Sequence, residues 1–250
     1  MSELLTKDRD IVVPGEKLAA GMDYLPSYGT YRLEDDIRAG MLGLVKIDGK
    51  VIKLIPMSGA YSPKRGDTIV CKVSDVLMSG WRVKTNSPYT AVLSLAEASS
   101  DFIPKDADLT RYFAIGDYLA ARITRVTSQK LIDVSTKGPG LRRLRGGRIL
   151  SVNTHKVPRI IGKQGSMVSM IKKATGAQII VGQNGWIWFS GEPEKERIVV
   201  DAIKMIEKKS HLSGLTDKVK DYLIGELKKL GEEVNLDAPL PSPQQNRGDQ

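Results

Sequence analysis

The sequence predicts a multidomain protein of the β plus α+β class: a small N-terminal β domain, then a five-stranded barrel, then a compact unit of strands and helices with one further helix behind it. Three observations carry this. Short segments with strand alternation, separated by Gly and Pro turn pairs, fill the chain as far as Ser135. From Ile149 onward the order reads strand, helix, helix, strand, strand, helix. A chain of 250 residues with 41% hydrophobic content can bury two or three small cores without covalent staples.

The first ten residues are polar and are expected to fray. A short strand from Ile11 is broken at Pro14-Gly15, and strands follow at Thr30–Leu33, Met41–Ile47 and Lys50–Pro56, with Asp48-Gly49 marking a hairpin between the last two. Asp35-Asp36 reads as loop surface. This domain, residues 1–62, carries Tyr24, Tyr28, Tyr31 and scattered apolar residues, which suit a docking module of low independent stability.

Pro63-Lys64-Arg65-Gly66-Asp67 opens the second unit, residues 63–137. Ile69, Cys71 and Val73 alternate with Val70, Lys72 and Ser74, so the first strand has two distinct faces. Strands are expected at Thr68–Met78, Gly80–Thr85, Tyr89–Ser94, Tyr118–Val126 and Leu131–Ser135, with a longer connection over Ala96–Gly116. Five such strands describe an OB-type barrel, a fold that binds oligonucleotides on one face. Trp81 and Arg82 lie where an exposed ring and charge would meet RNA, and Trp81 is read either as a stacking platform or as a plain barrel residue. Cys71, the single cysteine, reads as a buried strand residue, and one cysteine excludes an intrachain disulfide framework.

Charge separates the third unit from the others. No Asp or Glu occurs between Asp133 and Glu192, while that interval holds Lys137, Arg142, Arg143, Arg145, Arg148, Lys156, Arg159, Lys163, Lys172 and Lys173. These ten cations exceed the net charge of +9, so the electropositive surface is confined to one region. Within it stands Pro158-Arg159-Ile160-Ile161-Gly162-Lys163-Gln164-Gly165. Glycines at 162 and 165 leave no Cβ on a tight bend, so a phosphate backbone can approach the peptide amides while Lys163 supplies charge. Gly162, Lys163, Gln164 and Gly165 are therefore candidate RNA contacts, with Lys156 and Arg159 beside them. Arg142, Arg143 and Arg145, in the linker 138–147, either line a path between two RNA modules or form a solvated stretch.

In residues 148–212 a strand is expected at Ile149–Asn153, a helical turn at Pro158–Ile161, and a helix at Ser166–Thr175 ended by Gly176. Strands follow at Gln178–Val181 and Trp186–Ser190, joined through Gly182-Gln183-Asn184-Gly185, whose Asn-Gly suits a primed turn. Pro193 starts a long helix reaching Lys208 and Lys209. A second amphipathic helix over Asp217–Leu230, capped by Thr216, presents Val219, Leu223, Leu227 and Leu230 on one face and belongs to residues 213–232. The Pro-rich end, 233–250, is disordered by composition.

The order β-α-α-β-β-α around a Gly-x-x-Gly bend resembles a type I KH domain, and such clamps hold about four nucleotides of single-stranded RNA. Lys64-Arg65-Gly66-Asp67, Ile115-Gly116-Asp117 and Ile132-Asp133-Val134-Ser135-Thr136-Lys137-Gly138 resemble the opening and closing signatures of an S1-type OB domain, without the aromatics that flank the second strand in that family. Together with Val12-Val13-Pro14-Gly15 and the Gly-x-Asn-Gly hairpin, residues 10–210 resemble the KH-containing (S1/KH) cap subunit of the archaeal RNA exosome. The resemblance implies a cap of three such subunits on a hexameric ring of RNase PH-like exosome subunits, the N-terminal domain docking to the ring and the barrels surrounding an entry pore that admits single-stranded RNA.

The residues agree with a non-catalytic role. His155, His211, one cysteine and no acidic cluster in the basic region supply no evident general base, no metal site and no cofactor site. His155 reads as a surface or RNA-contacting residue. There is no signal peptide or membrane-length apolar run, so a soluble, cytoplasmic protein is expected. Two alternatives share these modules. A Nus-type transcription factor places an S1 barrel before two KH units, and a polynucleotide phosphorylase carries both modules behind catalytic domains.

Overall fold

The computed structural model describes residues 3–57, 59–101, 103–104, 107–210 and 214–231. His211 and the Pro-rich end fall outside the described residues. The chain divides into two compact units, Met1–Ala60 with Asn153–His155, and Tyr61–Val152 with Lys156–Gln250.

Among the described residues the first unit has eight short strands, β1 (Glu3–Leu4), β2 (Ile11–Val12), β3 (Lys17–Ala20), β4 (Leu25–Pro26), β5 (Thr30–Leu33), β6 (Asp36–Ala39), β7 (Gly43–Asp48) and β8 (Val51–Pro56). They form two four-stranded sheets, β1-β3-β6-β5 and β2-β7-β8-β4. Leu18, Ala19, Ile37 and Ala39 from one sheet meet Val12, Val45, Ile52 and Leu54 from the other. Asp48 pairs with Val51 across the turn that Gly49 makes at φ 61°, as the Asp-Gly pair predicts. Two expectations need correction. Within the first ten residues Glu3 and Leu4 are not frayed, because β1 adds to the edge of β3 with Glu3 opposite Ala20. Asp36 is not loop surface: it opens β6 with its carboxylate 2.9 Å from Lys17 Nζ, and the cross-strand cation makes an acidic strand start tolerable.

The barrel of the second unit uses β9 (Thr68–Leu77), β10 (Gly80–Lys84), β11 (Thr90–Ser94), β12 (Tyr118–Val126) and β13 (Ile132–Ser135), with the short helix α1 (Leu95–Ala98) after β11. The order β13-β11-β10-β9-β12 closes through a β13–β12 pairing, and β14 (Arg143–Leu144) adds outside β12. Residues at alternate positions, Ile69, Cys71, Val73, Trp81, Val83, Ala91 and Leu93 among them, fill the interior. Cys71 is buried as expected, and desolvation pushes its thiol up to about 12, so it stays protonated.

The rest of the unit holds β15 (Arg148–Ser151), α2 (Val157–Ile161), α3 (Ser166–Thr175), β16 (Gln178–Val181), β17 (Trp186–Ser190), α4 (Pro193–Lys208) and α5 (Leu215–Lys229). The sheet order is β15-β17-β16, antiparallel throughout. Its two faces are both buried. Ile187 and Phe189 pack on the helices with Ile160, Ile171, Val199 and Ile203, while Trp188, one residue out of step, packs on the barrel with Val70, Ala120 and Leu144. A run such as Trp-Ile-Trp-Phe is what a strand covered on both sides requires. Helix α5 starts at Leu215, earlier than the periodicity suggests, because Leu215 is itself buried beside Val219, Leu223 and Leu227. Gly214 and not Thr216 therefore precedes its first turn, and Leu230 stays exposed.

The connection between β16 and β17 welds barrel to sheet. Strand β9 runs past the end of β10, whose Lys84 pairs with Lys72, so Val70 has no β10 partner. Asn184, fully buried, takes that place: its carboxamide accepts from Val70 N (3.2 Å) and donates to Val70 O (2.7 Å) and Thr85 O (2.8 Å). Gln183 N donates to Thr68 O and Asn86 Nδ2 to Asn184 O. The turn is not the primed one that Asn-Gly suggests. Only Gly185 has positive φ (82°), since the Asn184 side chain is committed to the barrel.

Candidate nucleic-acid interface

The bend between α2 and α3 is built from left-handed backbone. Gly162 has φ 76°, Gln164 φ 53° and Gly165 φ 80°. Gly162 N closes α2 on Pro158 O at 3.0 Å, and Gly165 N bonds Gly162 O at 3.2 Å. A Cβ on Gly162 would lie 2.8 Å from both Met167 Cβ and Met167 N, whereas one on Gly165 would meet nothing nearer than Ser169 Oγ at 4.0 Å. The first glycine thus lets the bend pack on α3, and the second keeps its outer side open. Lys163 and Gln164 are exposed. Helix α3 begins directly behind with no acidic residue in its first turn and no side-chain cap, so its positive end faces the bend.

The other predicted contacts divide. Arg142 is exposed and donates to Gln178 Oε1 at 2.8 Å, at the start of the edge strand β16. Lys172, in the last turn of α3, has its pKa lowered, first by desolvation and then by the charge of Arg142. Sequence reading counted Lys172 in the basic interval but did not single it out; its pairing with Arg142 depends on the path of the linker. Arg145 is exposed, as is Arg159, which makes other contacts. Arg82 is exposed and pairs with Asp75 at 3.4 Å, its cross-strand neighbour.

Three residues are turned inward. Trp81 is fully buried, with its indole N–H on Phe113 O at 2.9 Å and its ring edge-on to Phe113 at 5.1 Å. It has no face for a base, because β10 turns it into the barrel axis. Arg143 binds Asp117 at 2.8 Å and Tyr112 O at 3.3 Å, so this linker cation is spent on fixing β14 to the barrel. Lys156 donates to Glu207 O at 2.9 Å, a carbonyl at the negative end of α4. His155 is half-buried, its amide on Asn153 Oδ1 at 3.0 Å. Among the described residues, no group of three His, Cys, Asp or Glu side chains is placed to hold a metal ion, and no helix is long and apolar enough to cross a membrane.

The closed barrel, the β-α-α-β-β-α unit with its glycine bend, and the added C-terminal helix define a β plus α+β protein of the barrel-and-KH class. A family profile for the KH domain matches residues 147–195, and one for the N-terminal region of the exosome complex exonuclease RRP4 matches residues 11–48. The chain is 42% identical over 237 residues to the exosome complex component Rrp4 of Thermococcus kodakarensis, covering 93% of this chain and 92% of that one. It is 44% identical over 222 residues to Rrp4 of Methanothermus fervidus, covering 88% and 98%. A crystal structure of a candidate exosome complex RNA-binding protein superposes with TM-score 0.61 at 31% identity, over 70% of this chain and all of that one. The chain belongs to the Rrp4 family of exosome complex components.

Proposed function

We propose that this chain is a non-catalytic cap subunit of an archaeal-type exosome that captures single-stranded RNA at Gly162-Lys163-Gln164-Gly165 and passes it to a hexameric RNase PH-like ring for degradation from the 3′ end. The observation that carries the reading is the glycine bend itself: exposed, left-handed, set at the positive end of α3, with Lys163 on it. Phosphates would sit on the bend and bases along the helix–β16 groove, with Arg142 and Lys172 at its far end. Family membership supports the exosome assignment.

The first unit is the proposed docking module for the ring. Ile11, Val13, Met22, Leu25, Tyr28 and Ile55 are each about half exposed or more, an apolar surface that a monomer leaves costly and an assembly would cover. The test uses labelled RNA and purified ring. Lys163→Asp with Gln164→Asp places two anions on the bend, at a position where Asp tolerates positive φ. RNA binding should fall at least tenfold while co-elution with the ring persists. Unchanged RNA affinity would reject the clamp, and RNA cleavage by the isolated chain would reject the non-catalytic role.

A further inference from the structure

Asn184-Gly185 is the one Asn-Gly pair in the chain. Glycine at the second position leaves its amide nitrogen unshielded, so in a freely moving loop that nitrogen attacks the asparagine side chain. The N–Cγ bond forms as the Cγ–Nδ2 bond breaks: the attacking nitrogen gives up its proton, Nδ2 leaves as ammonia, and a cyclic succinimide results. Water then adds to either ring carbonyl. The product is an aspartate or, with the main chain rerouted through Cγ, an isoaspartate.

In the native fold each participant in this reaction is held. The nucleophile, Gly185 N–H, donates to Gly182 O at 3.1 Å. The leaving group, Nδ2, donates to Val70 O and Thr85 O while Oδ1 accepts from Val70 N, so the carboxamide is fixed at three points. It has no room to rotate, since even a Cβ on Gly182 would lie 2.3 Å from Asn184 Oδ1 and 2.6 Å from Val70 N. Full burial keeps out the water that ring opening consumes. Trp188 closes the same seam over Val70 and Ala120, with Trp186 packed beside it. Nucleophile and carboxamide are released together only when the turn leaves strand β9.

We propose that Asn184-Gly185 is a self-modification site which the closed seam holds off, and that its conversion makes a separation of the barrel from the KH sheet permanent. Either product puts a carboxylate where Nδ2 now serves two carbonyls, a buried charge facing acceptors instead of donors. Isoaspartate also lengthens the main chain by a methylene, which moves Gly185 N off Gly182 O and Gly185 O off Val152 N. The conversion rate is the rate in a free turn multiplied by the fraction of molecules with the seam open, so the pair records openings over the life of the chain.

The experiment incubates the full chain in mildly alkaline buffer at several urea concentrations below its unfolding transition, beside a free peptide of residues 178–190. Peptide mass spectrometry follows the amide-to-acid change at Asn184, labelling by an isoaspartate methyltransferase gives the isoaspartate share, and hydrogen exchange at the Val70 amide measures opening. Without urea the folded chain should convert at least about a hundredfold more slowly than the peptide, as a seam open in about one molecule in a hundred or fewer requires. As urea rises, conversion and Val70 exchange should climb by the same factor. Trp188→Phe thins the apolar contact and leaves the Asn-Gly pair untouched, so it should raise both in buffer alone; if that variant does not fold, the urea series on the unchanged chain decides. Chain converted in urea and returned to buffer should leave the Val70 amide unprotected, and so should Asn184→Asp. Slowing of the folded chain by less than the stated factor, or conversion that stays flat while Val70 exchange climbs, overturns protection by the seam. A protected Val70 amide in the converted chain overturns the permanence.

Discussion

Replacing Asn184 by Ala should uncouple the barrel from the KH sheet. The carboxamide makes three hydrogen bonds at 2.7–3.2 Å to Val70 and Thr85 backbone groups in a fully buried position. Each bond contributes about 1 kcal/mol net, and the larger cost lies in what remains: Val70 N–H and C=O, off the end of the β10 ladder, lose the side chain that bonds them. With the three bonds at about 3 kcal/mol together, two backbone groups left buried without partners, at about 1–2 kcal/mol each beyond the lost bonds, bring the expected loss to about 5–7 kcal/mol. That is a large part of the 5–15 kcal/mol typical of a domain. Denaturant unfolding of the full chain, followed by Trp fluorescence, should show either a midpoint shift of that size or a split into two transitions. Hydrogen exchange provides the local check, with the Val70 amide losing protection in the variant. Asn184→Asp should be no better, since a carboxylate oxygen would then face the two carbonyls that now receive N–H groups. A loss under about 1 kcal/mol, with Val70 still protected, would mean that the apolar contact of Trp188 with Val70 and Ala120 holds the modules together and the amide is incidental.

The remaining predictions concern the two glycines, a crowded lysine and the buried tryptophan. Gly162→Ala should cost about 2–4 kcal/mol in a denaturation midpoint and Gly165→Ala about 1–2, because both require positive φ but only the first drives a Cβ into Met167. Lys172→Gln should leave stability unchanged or raise it while weakening RNA binding several-fold: a lysine whose folded pKa is depressed is penalised when protonated, so stability rises with pH between that lowered value and the ordinary lysine value of 10.5, and removing the charge removes the penalty. Thermal melts in neutral and alkaline buffer, beside RNA titrations, check both signs. Trp81→Phe should lose about 1–2 kcal/mol with its bond to Phe113 O and leave RNA affinity as it was; a fall in affinity at unchanged stability would return Trp81 to the binding face.

Much of the fold was legible because local signals coincided with tertiary ones. Helix α3 and strands β5, β12, β16 and β17 lie where periodicity and turn residues put them. The glycine bend was also legible, since a Gly-x-x-Gly pair between apolar helical segments constrains the backbone by itself. Burial of the basic and aromatic candidates was not. Nothing local tells Arg143 that Asp117 waits 26 residues back, or Lys156 that the end of α4 lies 51 residues ahead. Trp81 could have been placed by register, for it shares the parity of Val83 and so faces the barrel interior.

The same parity argument, carried one strand further, explains why the modules act as one body. In β17 neither face is polar: Ile187 and Phe189 serve the helices, and Trp186 and Trp188 need a second apolar partner that a free-standing KH unit does not have. The outward face of the barrel supplies it at Val70 and Ala120, small enough for indoles to lie against, and gives up that part of its own surface in doing so.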